Sequence, residues 1–416
     1  MFNLKNKQIV EDMATNIVSS MLPVIIIQLI ILPSINHILG SKEYGLIITL
    51  ISILSLFAAV FGNTLNNARL IVQSKDDASK YQENFLFLTC ILGMFTFVCV
   101  AIVSSIYSDG SLGSLDIVGI ASAAVLMFLN SYYLVAFRLS IEYKKILVSS
   151  IFLAIGLLLG LAVFNLLKLW WMAYILGYGL SFIYVFRNGG LLDDPFRITP
   201  HFLKLCKIET ILVASSLLGS LMLYADRMLL YPLLGGTAVS LYFVASLAGK
   251  MLSMATGPIS GVILSYLVKG GRLRRAVLRK CALILFLITV ILLLLCILVS
   301  RPMLSVLYPD LVGDAMQYVP ILSAVAAINS ACGCVNPIVL RFCNLRWQLG
   351  LNAINVATYV LASFSLFYAF GLLGFCIGAL IAASLKLLLS VGACYANKQS
   401  MLAEYEPTPN VDSKEY

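Results

Sequence analysis

Twelve apolar segments, separated by linkers that are alternately basic and almost uncharged, limit this chain more than any other feature. They fall near residues 14–35, 45–67, 84–106, 117–137, 146–166, 170–187, 208–230, 238–267, 281–300, 317–340, 349–370 and 372–396. Each is close to the roughly 20 residues that carry an α-helix across about 30 Å of hydrocarbon. Hydrophobic residues make up 61% of the chain and charged ones 11%. A water-soluble fold has too little interior to hide that much apolar surface, so lipid is the expected solvent. The expected fold is all-α and polytopic, with about twelve transmembrane helices in two six-helix lobes.

The basic residues orient the spans. With the N-terminus in the cytosol and the spans alternating, all but six of the 28 Lys and Arg fall on the inner side. Lys42, Lys168, Arg227 and Arg301 lie outside, and Lys250 and Lys386 lie within spans. Cationic segments resist translocation, so cytosolic loops collect them. Both termini are therefore expected in the cytosol. The first span is expected to be an uncleaved helix, because no small-residue cleavage pattern follows it.

The net charge of +9 follows from this loop bias. No basic run is interleaved with stacking aromatics, so nucleic acid is not an expected partner. The cluster Lys269–Lys280 is expected to be a topogenic loop, near enough to touch anionic headgroups. Ten cysteines are scattered through spans and inner borders and read as small apolar residues, not a disulfide framework. With two His in the chain, no metal centre or other cofactor is expected. The outer linkers are short and hold no nucleophile–base set, so enzyme chemistry is not expected. Trp170 and Trp171 are expected at an interface, where ring bodies and N–H tips suit the headgroup layer.

Sliding the sequence on itself by 195 residues sets Leu39-Gly40-Ser41 on Leu234-Gly235-Gly236, Leu46 on Leu241, and Gly62-Asn63 on Gly257-Pro258. The linker 188–207, with Pro195 and Pro200, falls between the two copies. The expected organisation is thus a lobe over 1–195, a lobe over 196–397 and a disordered cytosolic tail over 398–416.

Polar residues recur at helical spacing inside several spans. Ser216, Ser220, Tyr224 and Arg227 share one face of the seventh span. Ser246, Lys250 and Ser253 share a face of the eighth, and Asn352, Asn355, Tyr359 and Ser363 a face of the eleventh. Asn63 closes the second span near Arg69, and Asn130 stands alone in the fourth. Single Asn and Ser residues serve interhelical hydrogen bonds as readily as a cavity; several stripes together favour a wet passage. Lys250 lies near mid-membrane, where a charge costs about 2.5–3.5 kcal/mol on the lenient insertion scale. Its face is small and polar, so it is expected to line water. Lys386, flanked by leucines, is either a lining cation or a structural one. Asp226 and Arg227 are either a local ion pair, or a gate or proton-sensitive switch.

The stretch Ala225–Ser265, ADRMLLYPLLGGTAVSLYFVASLAGKMLSMATGPISGVILS, resembles polysaccharide exporters of the MOP superfamily. The shared pattern is a helix ending in Asp-Arg, a Leu-Gly turn, a Tyr-Phe-x-Ala stretch and a late Pro. The segment LGSKEYGLIITLISILSLFAAVFGN resembles the matching start of the first lobe. The likeness spans most of residues 10–395 and is nearest to Wzx-type flippases of lipid-linked O-antigen units. It implies two lobes around a cationic cavity. It also implies an undecaprenyl-pyrophosphate-linked oligosaccharide moved from inner to outer leaflet, with polysaccharide polymerase and chain-length machinery as partners. Asp226 and Arg227 match the motif positions; Lys250 rests on burial alone.

On that reading, Lys250, with Arg69 or Arg138 at the cytosolic mouth, would meet the pyrophosphate. Asn, Ser and Tyr would replace water around sugar hydroxyls, each of which would cost several kcal/mol if taken dry into hydrocarbon. Two other readings stand beside it. A MATE-like drug or cation antiporter would want buried carboxylates, and the spans offer Asp226 with Glu209 at a border. A membrane-embedded polymerase would want a long outer loop rich in Arg and acids.

Overall fold

The computed structural model describes residues 2–73, 78–190, 196, 198–253, 275–342 and 345–396. Twelve helical segments cover nearly all of them, and no strand occurs among the described residues. We number them α1 (2–39), α2 (41–73), α3 (Ala78–Ser108), α4 (114–139), α5 (Tyr143–Leu167) and α6 (Trp171–Gly189). Then follow α7 (202–234), α8 (236–253), α9 (Arg275–Leu307), α10 (Val319–Phe342), α11 (345–370) and α12 (372–396). Every expected span falls on one of these, the eighth only in its first part. Among the described residues, nine helices are long and apolar enough to cross a membrane. The protein is a multi-pass membrane protein. The tail 398–416, Lys75, Pro195, Arg197, the Gly257-Pro258 pair and the Lys269–Arg274 part of the basic cluster lie outside the described residues.

Three glycines punctuate the helices. Gly40 separates α1 from α2 with φ 81° and ψ 168°. Gly235 separates α7 from α8 with φ 75° and ψ −177°. That region of backbone space is essentially open to glycine alone. The two residues are the pair that the 195-residue repeat superposes, and they share one conformation. Gly371, at φ 57°, makes the corresponding break between α11 and α12.

The chain divides into two compact units, residues 1–243 with 307–311, and residues 244–306 with 312–416. In the first, α5 and α6 pack along their whole length, with α4 on α6 and α1 on α5. Small residues allow it. A Cβ on Gly156 would collide with the Leu176 carbonyl oxygen, and one on Gly160 with Ala173 Cα. Lipid tails are as apolar as leucine, so close backbone approach rather than burial of grease holds such pairs together. In the second unit, α12 meets α11 in the same way: Gly374 faces the Leu366 carbonyl and Gly378 the Ser363 backbone.

Lipid-facing and protein-facing sides differ as a membrane solvent requires. On α3, Met94, Phe95, Val98, Ile102 and Ile106 are exposed, whereas every residue from 44 to 54 on α2 is buried. The tryptophans correct one expectation. Trp170 and Trp171 are buried, and Trp171 Nε1 donates to Asp116 Oδ1 at 3.0 Å. Gly119 leaves room for the indole ring on α4, so a protein carboxylate takes the N–H that a headgroup was expected to receive.

Candidate functional site

Helix α2 carries a polar cluster at each end, about 37 Å apart at 1.5 Å per residue, enough to span the hydrocarbon. At its start, the backbone itself is the contact. A Cβ on Gly45 would collide with the Gly236 carbonyl oxygen, and one on Gly236 with the Lys42 carbonyl oxygen. Ser240 Oγ donates to the Ser41 carbonyl at 2.5 Å. Beneath this seam the Tyr44 and Tyr308 hydroxyls share a 2.7 Å hydrogen bond, and both side chains are fully buried. The Tyr44 ring stands edge-on to Phe243, with centroids 6.2 Å apart.

Arg227 joins this layer. Its Nη1 donates to Ser52 Oγ at 2.9 Å, and its guanidinium lies 4.8 Å from the Phe243 ring centroid. Asp226 Oδ1 accepts from the Arg227 backbone N–H at 2.9 Å and stands 3.8 Å from Arg227 Nε. Both side chains are close to nine-tenths buried. The Asp-Arg pair is therefore local, yet Arg227 also bridges α7 to α2. A cation held over an aromatic face and by a hydroxyl has several small attachments rather than one strong one. Tyr224, three residues earlier, is half-buried beside Ser55 of α2.

The far end of α2 is reached through a π-helical segment, Ala58–Gly62, which inserts one residue and resets the helical face. Gly62 abuts α4, where a Cβ would sit 2.7 Å from Ser131 Cβ. After the reset, Thr64, Leu65, Ala68, Arg69 and Val72 turn inward while Asn63 and Asn67 are exposed. Arg69 is 3% exposed; its Nη1 donates to the Tyr132 hydroxyl at 2.9 Å, and its guanidinium lies 5.1 Å from the Phe85 ring centroid. Asn66 Nδ2 donates to the Ser131 carbonyl at 3.0 Å, and Asn66 Oδ1 accepts from Arg138 Nη1 at 3.2 Å. One cluster thus gathers Arg69 and Arg138, two of the expected mouth residues. Arg138 is exposed and makes no ion pair among the described residues, so its remaining donors are open to an anion.

Glu209 of α7 also reaches α2. It is 4% exposed, and its Oε1 lies 2.6 Å from the Thr64 hydroxyl oxygen. Asn130 sits apart from both clusters: its Nδ2 donates to Ser181 Oγ at 2.9 Å, and Ser181 shares a 2.8 Å hydrogen bond with Ser149. That chain ties α4, α6 and α5 together.

In the second unit, Lys250 is half-buried on α8, whose Gly249 packs against Ala326 of α10. Asn355 and Tyr359, one turn apart on α11, are buried, and Tyr359 stands edge-on to Phe375 of α12. Lys386 is half-buried on α12, close enough to act electrostatically on Cys332 of α10. Sequence reasoning did not single out Tyr132 or Tyr308. Glu209 drew notice only as an acid at a span border. A clue was present in Thr64, Asn66 and Arg69 following Gly62 within one short stretch.

No family model and no curated protein matches the sequence. Solved structures do. A multidrug-resistance MATE family transporter of the MOP superfamily, in an inward-facing conformation, superposes with a TM-score of 0.70 at 14% identity, over 92% of this chain and 99% of that one. The lipid II flippase MurJ, inward closed, gives 0.67 at 12% identity, over 95% and 87%. An outward-facing MATE transporter of the same superfamily gives 0.61 at 14% identity, over 94% and 96%. The fold is that of the MOP-superfamily transporters and flippases.

Proposed function

We propose that this protein is a flippase that moves an undecaprenyl-pyrophosphate-linked oligosaccharide, an O-antigen or similar repeat unit, from the inner to the outer leaflet. In this reading the chain crosses the cytoplasmic membrane twelve times with both termini in the cytosol. Its lobes, 1–195 and 196–397, rock about a central passage. The observation that carries the reading is Arg138. It is an exposed guanidinium steadied by Asn66 and unclaimed by any described carboxylate, on a fold shared with a lipid II flippase. A bidentate donor left open in this way suits a phosphate. Arg69 stiffens the cluster from behind. Lys250 and Lys386 would receive the headgroup further in, with Asn63, Asn130, Tyr224, Asn355 and Tyr359 serving the sugars. The seam between Gly45 and Gly236, braced by Arg227 and Asp226, is the outer gate in its closed form. Polymerase and chain-length proteins would take the product.

An inside-negative potential favours outward movement of an anionic headgroup by about 2.3 kcal/mol per charge per 100 mV. A drug or cation antiporter is the second reading, favoured by the 0.70 superposition on a MATE transporter. Expression in a bacterium lacking its own O-unit flippase separates the two. Restored surface polysaccharide with unchanged drug susceptibility supports the flippase. Raised drug tolerance without surface polymer supports the antiporter.

A further inference from the structure

Glu209 lies outside every role assigned above, and its surroundings are specific. Two helices meet through it: α7 supplies the carboxyl, and α2 supplies Thr64 just past the π segment. The Thr64 hydroxyl has three oxygen neighbours. They are the Val60 carbonyl in short contact, the Phe61 carbonyl at 3.1 Å and Glu209 Oε1 at 2.6 Å. A hydroxyl has one hydrogen to give. If it goes to Val60, as a back-bond to the preceding turn, the 2.6 Å contact to Glu209 needs a second hydrogen. The carboxyl can supply it. Glu209 Oε2 is buried and meets no hydrogen-bond partner among the described residues. An ionised carboxylate so placed would leave charge unsolvated, whereas a carboxylic acid needs far less.

We propose that Glu209 is a proton-binding site, and that its protonated form pins α2 to α7 by donating to Thr64 Oγ1. The charged and titratable groups nearby do not replace that proton. On α7 the nearby titratable groups are Cys206, one turn earlier, and Lys207, two residues earlier and exposed. On α2 Thr64 does not titrate, and Arg69 is turned to Tyr132 and Phe85. Leu65, Leu205, Ile208 and Leu212, next to Thr64 and Glu209 along α2 and α7, belong to one apolar cluster. Loss of the proton would place a bare carboxylate in that packing and loosen the contact between the helices. The site rests on the transport reading only for its use: a proton gradient could then bias which helix contacts persist.

Two measurements on the full-length protein in lipid vesicles test this without any transport assay. Infrared difference spectra at neutral pH should show a protonated-carboxyl C=O band that disappears in Glu209→Gln and shifts in Thr64→Val. Loss of carboxylate-ion bands in Glu209→Gln instead, or no carbonyl change, would overturn the proposal. Hydrogen exchange, corrected for its intrinsic pH effect, should accelerate over residues 60–69 as pH rises in the wild type and stay constant in Glu209→Gln. Acceleration that follows sodium concentration at fixed pH would make this a metal-cation site and also overturn it. Absence of lipid flipping beside a positive infrared result would count against the flippase reading and leave the proton site intact.

Discussion

Gly45 of α2 and Gly236 of α8 meet backbone to backbone, with no room for a methyl group on either. Two helix starts separated by almost half the chain can touch this closely only because each follows a glycine break and each carries a glycine at the point of contact. The contact is small, is made by backbone with one serine hydrogen bond beside it, and holds no ion pair among the described residues, which are the properties proposed here for a seam that opens.

Substituting Gly45→Val should block that seam from closing. Overpacking of a tight contact costs about 1–3 kcal/mol. The variant is expected to reach normal abundance, melt slightly lower and lose transport. Labelling of a cysteine introduced at Ser41 by a membrane-impermeant maleimide should increase.

Arg69 and Arg138 share a cluster but should fail differently. Arg138→Gln removes an exposed charge and should leave thermal stability within about 0.5 kcal/mol while lowering transport. Arg69→Ala removes a buried donor from the Tyr132 hydroxyl and a cation from the Phe85 face. Breaking a hydrogen bond to a charged group costs about 1.5–3 kcal/mol, so this variant should melt measurably lower in detergent.

Gly235→Ala should destabilise by about 1–3 kcal/mol, because its backbone conformation is strained for any residue with a Cβ. Gly40→Ala should behave alike. A stable, fully active Gly235→Ala would contradict the backbone description of this break. Thermal unfolding by intrinsic fluorescence reads both.

Much of the fold was legible in the sequence for a simple reason. Lipid leaves the backbone no partners but its own, so long apolar runs must be helices and glycines mark their ends. Gly40 and Gly235 were already paired by the repeat, and they share one backbone conformation. The site was less legible. Helical spacing assigns a residue to a face but does not name what that face meets. Tyr44 finds Tyr308, Thr64 finds Glu209 and Asn66 finds Arg138 across gaps in sequence that no periodicity bridges. Trp171 misled because an aromatic at a span end is ambiguous until its neighbour, here Asp116, is known. Asn130 took the other course open to a lone polar residue, a hydrogen bond between helices.

The central claim is that cationic side chains on this fold escort a pyrophosphate headgroup through the bilayer. Its most direct test is flipping of a fluorescent undecaprenyl-pyrophosphate-linked oligosaccharide in vesicles containing the purified protein, read by protection from an impermeant quencher. The account predicts flipping well above protein-free vesicles. It also predicts a loss of about tenfold or more in Lys250→Ala and in Arg138→Gln, as expected when one charge-assisted contact is removed. Wild-type flipping in both variants, or flipping no faster than in empty vesicles while a cationic dye is expelled, would contradict it.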